Sequence, residues 1–282
     1  MMDLQDLTLP EPDSTTLHEL YGRYLRRQSK LFSKIPWSKL MPAQAEQITE
    51  LYKILELVKV EEPGLYFSIL RMPSIGGCLR CVEGAIRQEN SALATRLSTG
   101  LWAQLLVEMA NAGQVTEPIR LSVGQRNILC SSSGWFDCVP DGYDLIEARD
   151  GGIYYLTHDG ISVRAAKDRA SELVLKDDTS LCLFDNNPLA LNEAHPDKSG
   201  NKLDLGGVNE ERWRDALCEA LELIEQFLPE IYAEMKTVMR TIVPVGVDAN
   251  RHVSASYQEV IGCLYLSLHP NILTMAEALI HE

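Results

Sequence analysis

Over its first third the chain repeats apolar residues at helical spacing. Leu17, Leu20, Tyr21, Tyr24, Leu25 and Leu31 recur every three or four positions, Thr16 and Glu19 stand at capping-box separation, and Pro36 closes the run. A second helix is predicted from about Ala43 to Val60, stopping before Pro63. Helical text resumes at Tyr66 and runs to Ala112, broken early by Pro73 and the pair Gly76-Gly77 and ended by Asn111 to Gly113. Residues 1–115 are therefore expected to be a mostly helical region.

The period then shortens to two. Ile119 to Val123, Asn127 to Cys130, Tyr143 to Ala148, Ile153 to Thr157 and Ile161 to Arg164 are short and rich in β-forming residues, with Gly124, Asp150-Gly151 and Asp159-Gly160 supplying turns. This text predicts an antiparallel meander, so the chain is expected to be α+β rather than a doubly wound parallel sheet. Residues 116–282 are read as this antiparallel region plus helices, either separate from the helical region or integrated with it in one domain.

After a polar loop from Asp185 to Gly207, Asn209 stands where it can cap a helix, with Glu210 and Glu211 in the first turn and Trp213, Leu217, Ala220, Leu221, Ile224 and Leu228 as its buried stripe. Pro229 either kinks this helix or starts another bearing Ile231, Met235 and Met239 on one face. Extended runs are predicted at Thr241 to Val245 and Val260 to Leu268. After Pro270, the residues Ile272, Met275, Ala276, Leu279 and Ile280 return to helical spacing. The order is strand, short turn, helix.

Composition narrows the classes. An apolar fraction of 45% in 282 residues can fill a core, while a formal charge of -14 repels phosphate backbones and anionic lipid, so nucleic acid and membrane surfaces are not expected partners. The exposed-looking run Arg23, Arg26, Arg27, Lys30 and Lys34 reads as a solvated helix face, with docking of an acidic peptide as the functional alternative. No stretch has the length of a membrane-spanning helix, and Met1 to Pro12 is acidic and polar, unlike a secretion signal; a cytoplasmic location is expected. The seven cysteines, Cys78, Cys81, Cys130, Cys138, Cys182, Cys218 and Cys263, then read as reduced thiols.

Candidate chemistry concentrates at the carboxyl end, Leu279-Ile280-His281-Glu282. The last turn is neither capped nor basic, so the natural polypeptide is expected to continue. His-Glu followed two residues later by a second His would set two imidazoles one turn apart on one helix face, which suits a divalent metal. The dipeptide alone is weak: His18-Glu19 also lies in helical text and is followed by Gly22. The longer text carries more. Ser254-Ala255-Ser256-Tyr257-Gln258-Glu259-Val260-Ile261-Gly262-Cys263-Leu264-Tyr265-Leu266-Ser267-Leu268, then Pro270 and Met275-Ala276-Glu277-Ala278-Leu279-Ile280-His281-Glu282, resembles the HExxH-motif peptide-modification proteins found with ribosomally made peptide natural products. Pro73-Ser74-Ile75-Gly76 and Leu183-Phe184-Asp185-Asn186-Asn187-Pro188 fit the same family more loosely, so the resemblance spans roughly residues 65 to 282.

The resemblance implies a zincin-like HExxH helix and an Fe(II)- and 2-oxoglutarate-dependent hydroxylase that installs a hydroxyl on the β-carbon of a residue in a precursor peptide. His281 would be the first metal ligand. Two His and one carboxylate on one face of Fe(II) leave room for a 2-oxo acid and O2. Glu282 would be the general base of a hydrolytic HExxH site; in an oxygenase its part would be positioning. The second His and any third ligand are missing from these residues, so the chain as it stands is expected to bind metal weakly or not at all. A zinc peptidase is the alternative, because the same two His suit Zn(II); a non-catalytic peptide-recognition or scaffold module is another.

Other clusters carry less. Cys78 and Cys81 have redox or zinc-ligand spacing, but in helical text without a second pair they read as structural thiols. His195-Pro196-Asp197 and the acidic residues Asp177, Asp178 and Asp185 read as solvated loop. His252 and His269 flank the extended run before the last helix and would approach a metal only if that run folds back along it. The pairs Gly76-Gly77, Gly151-Gly152 and Gly206-Gly207 lack phosphate-loop or dinucleotide spacing.

Overall fold

The computed structural model describes residues 15–124, 128–130, 135–166, 169–170, 172–183, 203–250, 254–258 and 260–281. The chain is a mixed α+β protein with two compact units. Of the described residues, those within 28–170 belong to one, and those within 15–27, 172–183 and 203–281 to the other. Positions 115 and 116 both fall inside the first of these, because tertiary contacts tie helices and strands together there regardless of element type.

In the first unit the helices are α1 (Thr15–Lys34, which enters it at residue 28), α2 (Trp37–Leu40), α3 (Ala45–Glu61), α4 (Pro63–Arg71), α5 (Pro73–Arg87) and α6 (Ser91–Asn111). Pro63 and Pro73 each sit in the first turn of a helix, where a missing N–H costs nothing. Gly76 and Gly77, expected to break the helix, lie buried inside α5. The helical text does break at Pro73, which starts α5, and it breaks again at Gln88–Asn90, where Glu89 adopts φ 55° and the Asn90 side chain accepts from Leu93 N to cap α6. α6 is the axis of the unit: Leu97, Leu101, Trp102, Leu105, Leu106 and Met109 are all buried, and apolar residues surround it. Phe32, Trp37 and Trp102 meet with ring centroids 5.1 to 5.5 Å apart, and Trp37 Nε1 donates to Phe32 O at 2.9 Å. Each such aromatic contributes on the order of 2–3 kcal/mol by burial.

The strands of this unit are β1 (Ile119–Ser122), β2 (Ile128–Cys130), β3 (Trp135–Cys138), β4 (Leu145–Arg149), β5 (Gly152–Leu156), β6 (Ser162–Arg164) and β7 (Arg169–Ala170). They do not form one meander. A four-stranded antiparallel sheet runs β1-β4-β5-β6, and β2-β3-β7 form a separate three-stranded sheet. One face of the first sheet, with Ile119, Leu121, Ile146, Ala148, Ile153 and Tyr155, is buried and packs towards α3 and α6.

The second unit contains β8 (Glu172–Lys176), β9 (Thr179–Cys182), α7 (Glu210–Phe227), α8 (Pro229–Val238), β10 (Thr241–Val247), β11 (Ser254–Ser256), β12 (Cys263–Leu268) and α9 (Ile272–His281). Its sheet order is β11-β12-β10-β9-β8, with β10 parallel to both β9 and β12 and the outer pairs antiparallel. The helix and two extended runs expected at the carboxyl end are thus present, together with a parallel centre that alternation alone did not reveal. Every residue of β12 is buried, as a strand covered on both faces requires. Leu217, Leu221 and Ile224 of α7 join Ile242, Leu264, Leu266, Met275 and Leu279 in one core. Pro229 starts a new helix. The first residues of the predicted run 260–268 form a turn: Gly262 has φ 89°, and a Cβ there would lie 2.7 Å from Val238 O.

Candidate functional site

The strand, turn and helix at the carboxyl end are built by local rules. β12 ends at Leu268, and the Asn271 side chain accepts from Leu273 N at 2.9 Å, capping α9. Met275, Ala276, Ala278 and Leu279 face the core, which leaves Glu277 and His281 on the opposite, exposed face. His281 Nε2 lies 4.0 Å from Glu277 Oε1, one turn earlier. An exposed imidazole and one carboxylate at that separation are fewer donors than a metal centre needs, and among the described residues no group of three or more His, Cys, Asp or Glu gathers around a common point. The residues present therefore do not by themselves fit a metal. Glu282 lies outside the described residues.

His269 does not join His281. It stands before the first turn of α9, and the ten-residue helix separates the two by about 15 Å. Its ring is also engaged: Nδ1 accepts the Asn271 N–H at 3.0 Å, and Nε2 meets Ala249 O at 3.2 Å, which fixes the tautomer with the proton on Nε2. His269 is a tie between the end of β12, the segment after β10 and the start of α9.

The other candidates separate as follows. Cys78 and Cys81 are buried in α5, and the Cys78 thiol donates to Leu97 O at 3.5 Å, consistent with packing thiols. Asp177 and Asp178 occupy the turn between β8 and β9: Asp177 accepts the Tyr232 hydroxyl at 2.5 Å, and Asp178 pairs with Arg240 at 3.6 Å. Burial, then the bond to Asp177, pushes the Tyr232 hydroxyl far above its ordinary range, so it stays a donor at neutral pH. Burial likewise raises the neighbouring Cys218 thiol, which keeps it protonated rather than nucleophilic. Lys176 bonds Glu225 at 2.7 Å, and that bond raises its pKa. Glu19 pairs with Arg23 at 3.3 Å on α1, while Arg26, Arg27, Lys30 and Lys34 are exposed, as a solvated face predicts. Asp185, His195, Asp197 and His252 lie outside the described residues.

One constellation was missed by sequence reasoning. On the outer face of the four-stranded sheet, register aligns Arg120 with Glu147, Glu147 with Tyr154, and Tyr154 with Arg164. Glu147, 5% exposed, accepts from Arg120 at 2.9 Å and pairs through its other oxygen with Arg149 at 2.8 Å. The Arg149 guanidinium lies 4.4 Å from the Tyr154 ring centre and donates to Ser162 Oγ at 3.1 Å. Arg164, exposed, makes no ion pair among the described residues. The sequence signal was the period-two placement of Glu147 and Arg149, Tyr154, and Ser162 and Arg164; seeing it required the strand register. Compared with protein-family models and with curated proteins, the chain matches none.

Proposed function

We propose that the protein modifies a ribosomally made precursor peptide by Fe(II)- and 2-oxoglutarate-dependent β-hydroxylation, with His281 as the first ligand of its metal and Glu282 beside it. The observation carrying this reading is the sequence of β12, a capped turn and α9, with His281 on the exposed face of the last turn. That face is where a second imidazole, one turn further along the same helix, would share an ion with His281. The reading requires that second imidazole and a further ligand from outside the described residues. A cytoplasmic location and a peptide partner belong to the same proposal. The acidic balance argues against nucleic acid, and among the described residues no helix is long and apolar enough to cross a membrane.

Incubation of the full-length protein with precursor peptide, Fe(II) and 2-oxoglutarate tests it. Succinate release with a peptide mass gain of one oxygen is expected, together with loss of metal uptake in His281→Ala. Peptide cleavage with zinc assigns the peptidase instead. A second reading is a peptide-recognition or scaffold module. Peptide binding without metal uptake by the full-length protein would establish it.

A further inference from the structure

β6 is the outer strand of its sheet, and all three of its residues are exposed. Thr157 N donates to Ile161 O at 3.0 Å and Ala165 N to Ile153 O at 2.9 Å, while Val163 stands opposite Tyr155. In an antiparallel ladder this alternation turns the backbone of residues 161, 163 and 165 towards β5, and the N–H and C=O groups of Ser162 and Arg164 away from the sheet. Those outward groups are a template for one more strand.

The side chains say what strand would fit. On the outer face Arg120 and Arg149 share one carboxylate, Glu147, and Arg164 adds a third cation opposite Tyr154, leaving a positive surplus on a protein whose formal charge is -14. Asp137, beyond the end of β6, already accepts the Ala166 N–H at 2.8 Å. On the other face the neighbours of the edge are apolar: Ile161 is 62% and Val163 40% exposed. A strand laid against β6 therefore meets cationic groups on one face and aliphatic groups on the other. Pairing of β6 with β6 of a second copy about Val163 would bring the two surplus positive faces together, which disfavours it.

We propose that β6 is a docking edge for an extended peptide whose alternate side chains are acidic and apolar. Main-chain bonds to Ser162 and Arg164 supply part of the affinity, a carboxylate opposite Arg164 selects charge, and aliphatic side chains cover Val163 and Ile161. β6 belongs to the first unit and His281 to the second, and the two readings share no residue, so this inference and the metal-dependent reading stand or fall separately.

The probe is a fluorescein-labelled octapeptide of alternating Glu and Val, with alternating Lys and Val as control, read by anisotropy on the full chain. The acidic peptide is expected to bind about ten-fold tighter than the basic one and to weaken with salt. Ser162→Pro removes the outward N–H while leaving the β5 ladder intact, and is expected to cost about ten-fold; Ser162→Ala, which keeps that N–H, costs about three-fold or less. Arg164→Glu is expected to reverse the charge preference, and decides the matter if the proline variant fails to fold. Equal binding of both peptides, no binding of either, full affinity in Ser162→Pro, or an unreversed preference in Arg164→Glu overturns the proposal. So does light scattering that shows a dimer abolished by Ser162→Pro.

Discussion

Burial lifts the Tyr66 hydroxyl from its ordinary 10.0 to about 12, outweighing the lowering from its 3.0 Å hydrogen bond with Ser29. The phenol is neutral when protonated, so at high pH the folded chain keeps a proton that the unfolded chain releases. The resulting stability is complete below pH 10 and is lost as pH rises from 10 to about 12. Tyr66→Phe is expected to cost about 1 kcal/mol at neutral pH through the abandoned Ser29 hydroxyl, and to flatten the alkaline loss by on the order of 2 kcal/mol. Urea unfolding of both proteins at neutral pH and at about pH 11 measures it; parallel losses would remove Tyr66 as the cause. Residue chemistry of this kind was only partly legible. Periodicity put His281 on α9 and Met275 and Leu279 in the core, because helical spacing alone decides which face is buried. That His269 spends both ring nitrogens on Ala249 and Asn271 depends on where three separate segments meet, and sequence spacing does not encode that meeting.

At the scale of elements, α9 depends on its first turn. Asn271 offers its side-chain oxygen to Leu273 N and its own N–H to His269, linking cap and strand end in one chain of bonds. Asn271→Ala is expected to destabilise the second unit by about 1 kcal/mol. The loss should appear as faster amide exchange in α9 and the end of β12, with α5 and α6 unchanged; uniform loss across the chain would show that the cap does not act locally. Helices with an amphipathic stripe or a proline at their start were readable, as α3, α7 and α8 show, since cap chemistry and a buried stripe are local properties. The Gly76-Gly77 pair misled because both are buried in α5, where tertiary packing overrides the poor helix propensity of glycine. The interruption at Glu89 left no proline or glycine as a marker.

For the whole molecule, pairing between distant strands was the least legible property. The antiparallel hairpin β4-β5 announced itself through Asp150-Gly151, but nothing in the local text says that β1 passes over β2 and β3 to reach β4, or that β10 lies between β9 and β12. Removal of residues 263–282 deletes β12 and α9 and uncovers Leu217, Leu221 and Ile242. Protease resistance of the second unit is expected to disappear while the first unit's helices keep theirs; retained protection across residues 210–247 would refute the packing order. Ser180 and Arg240, joined by a backbone bond, are 60 residues apart in the chain. During synthesis the β8-β9 hairpin therefore leaves the ribosome long before its covering strand, and its inner edge stays adhesive until β10 has been made. Chaperone demand should thus peak in that interval, and slowing translation between β9 and β10 should lower the soluble yield more than a pause after α9.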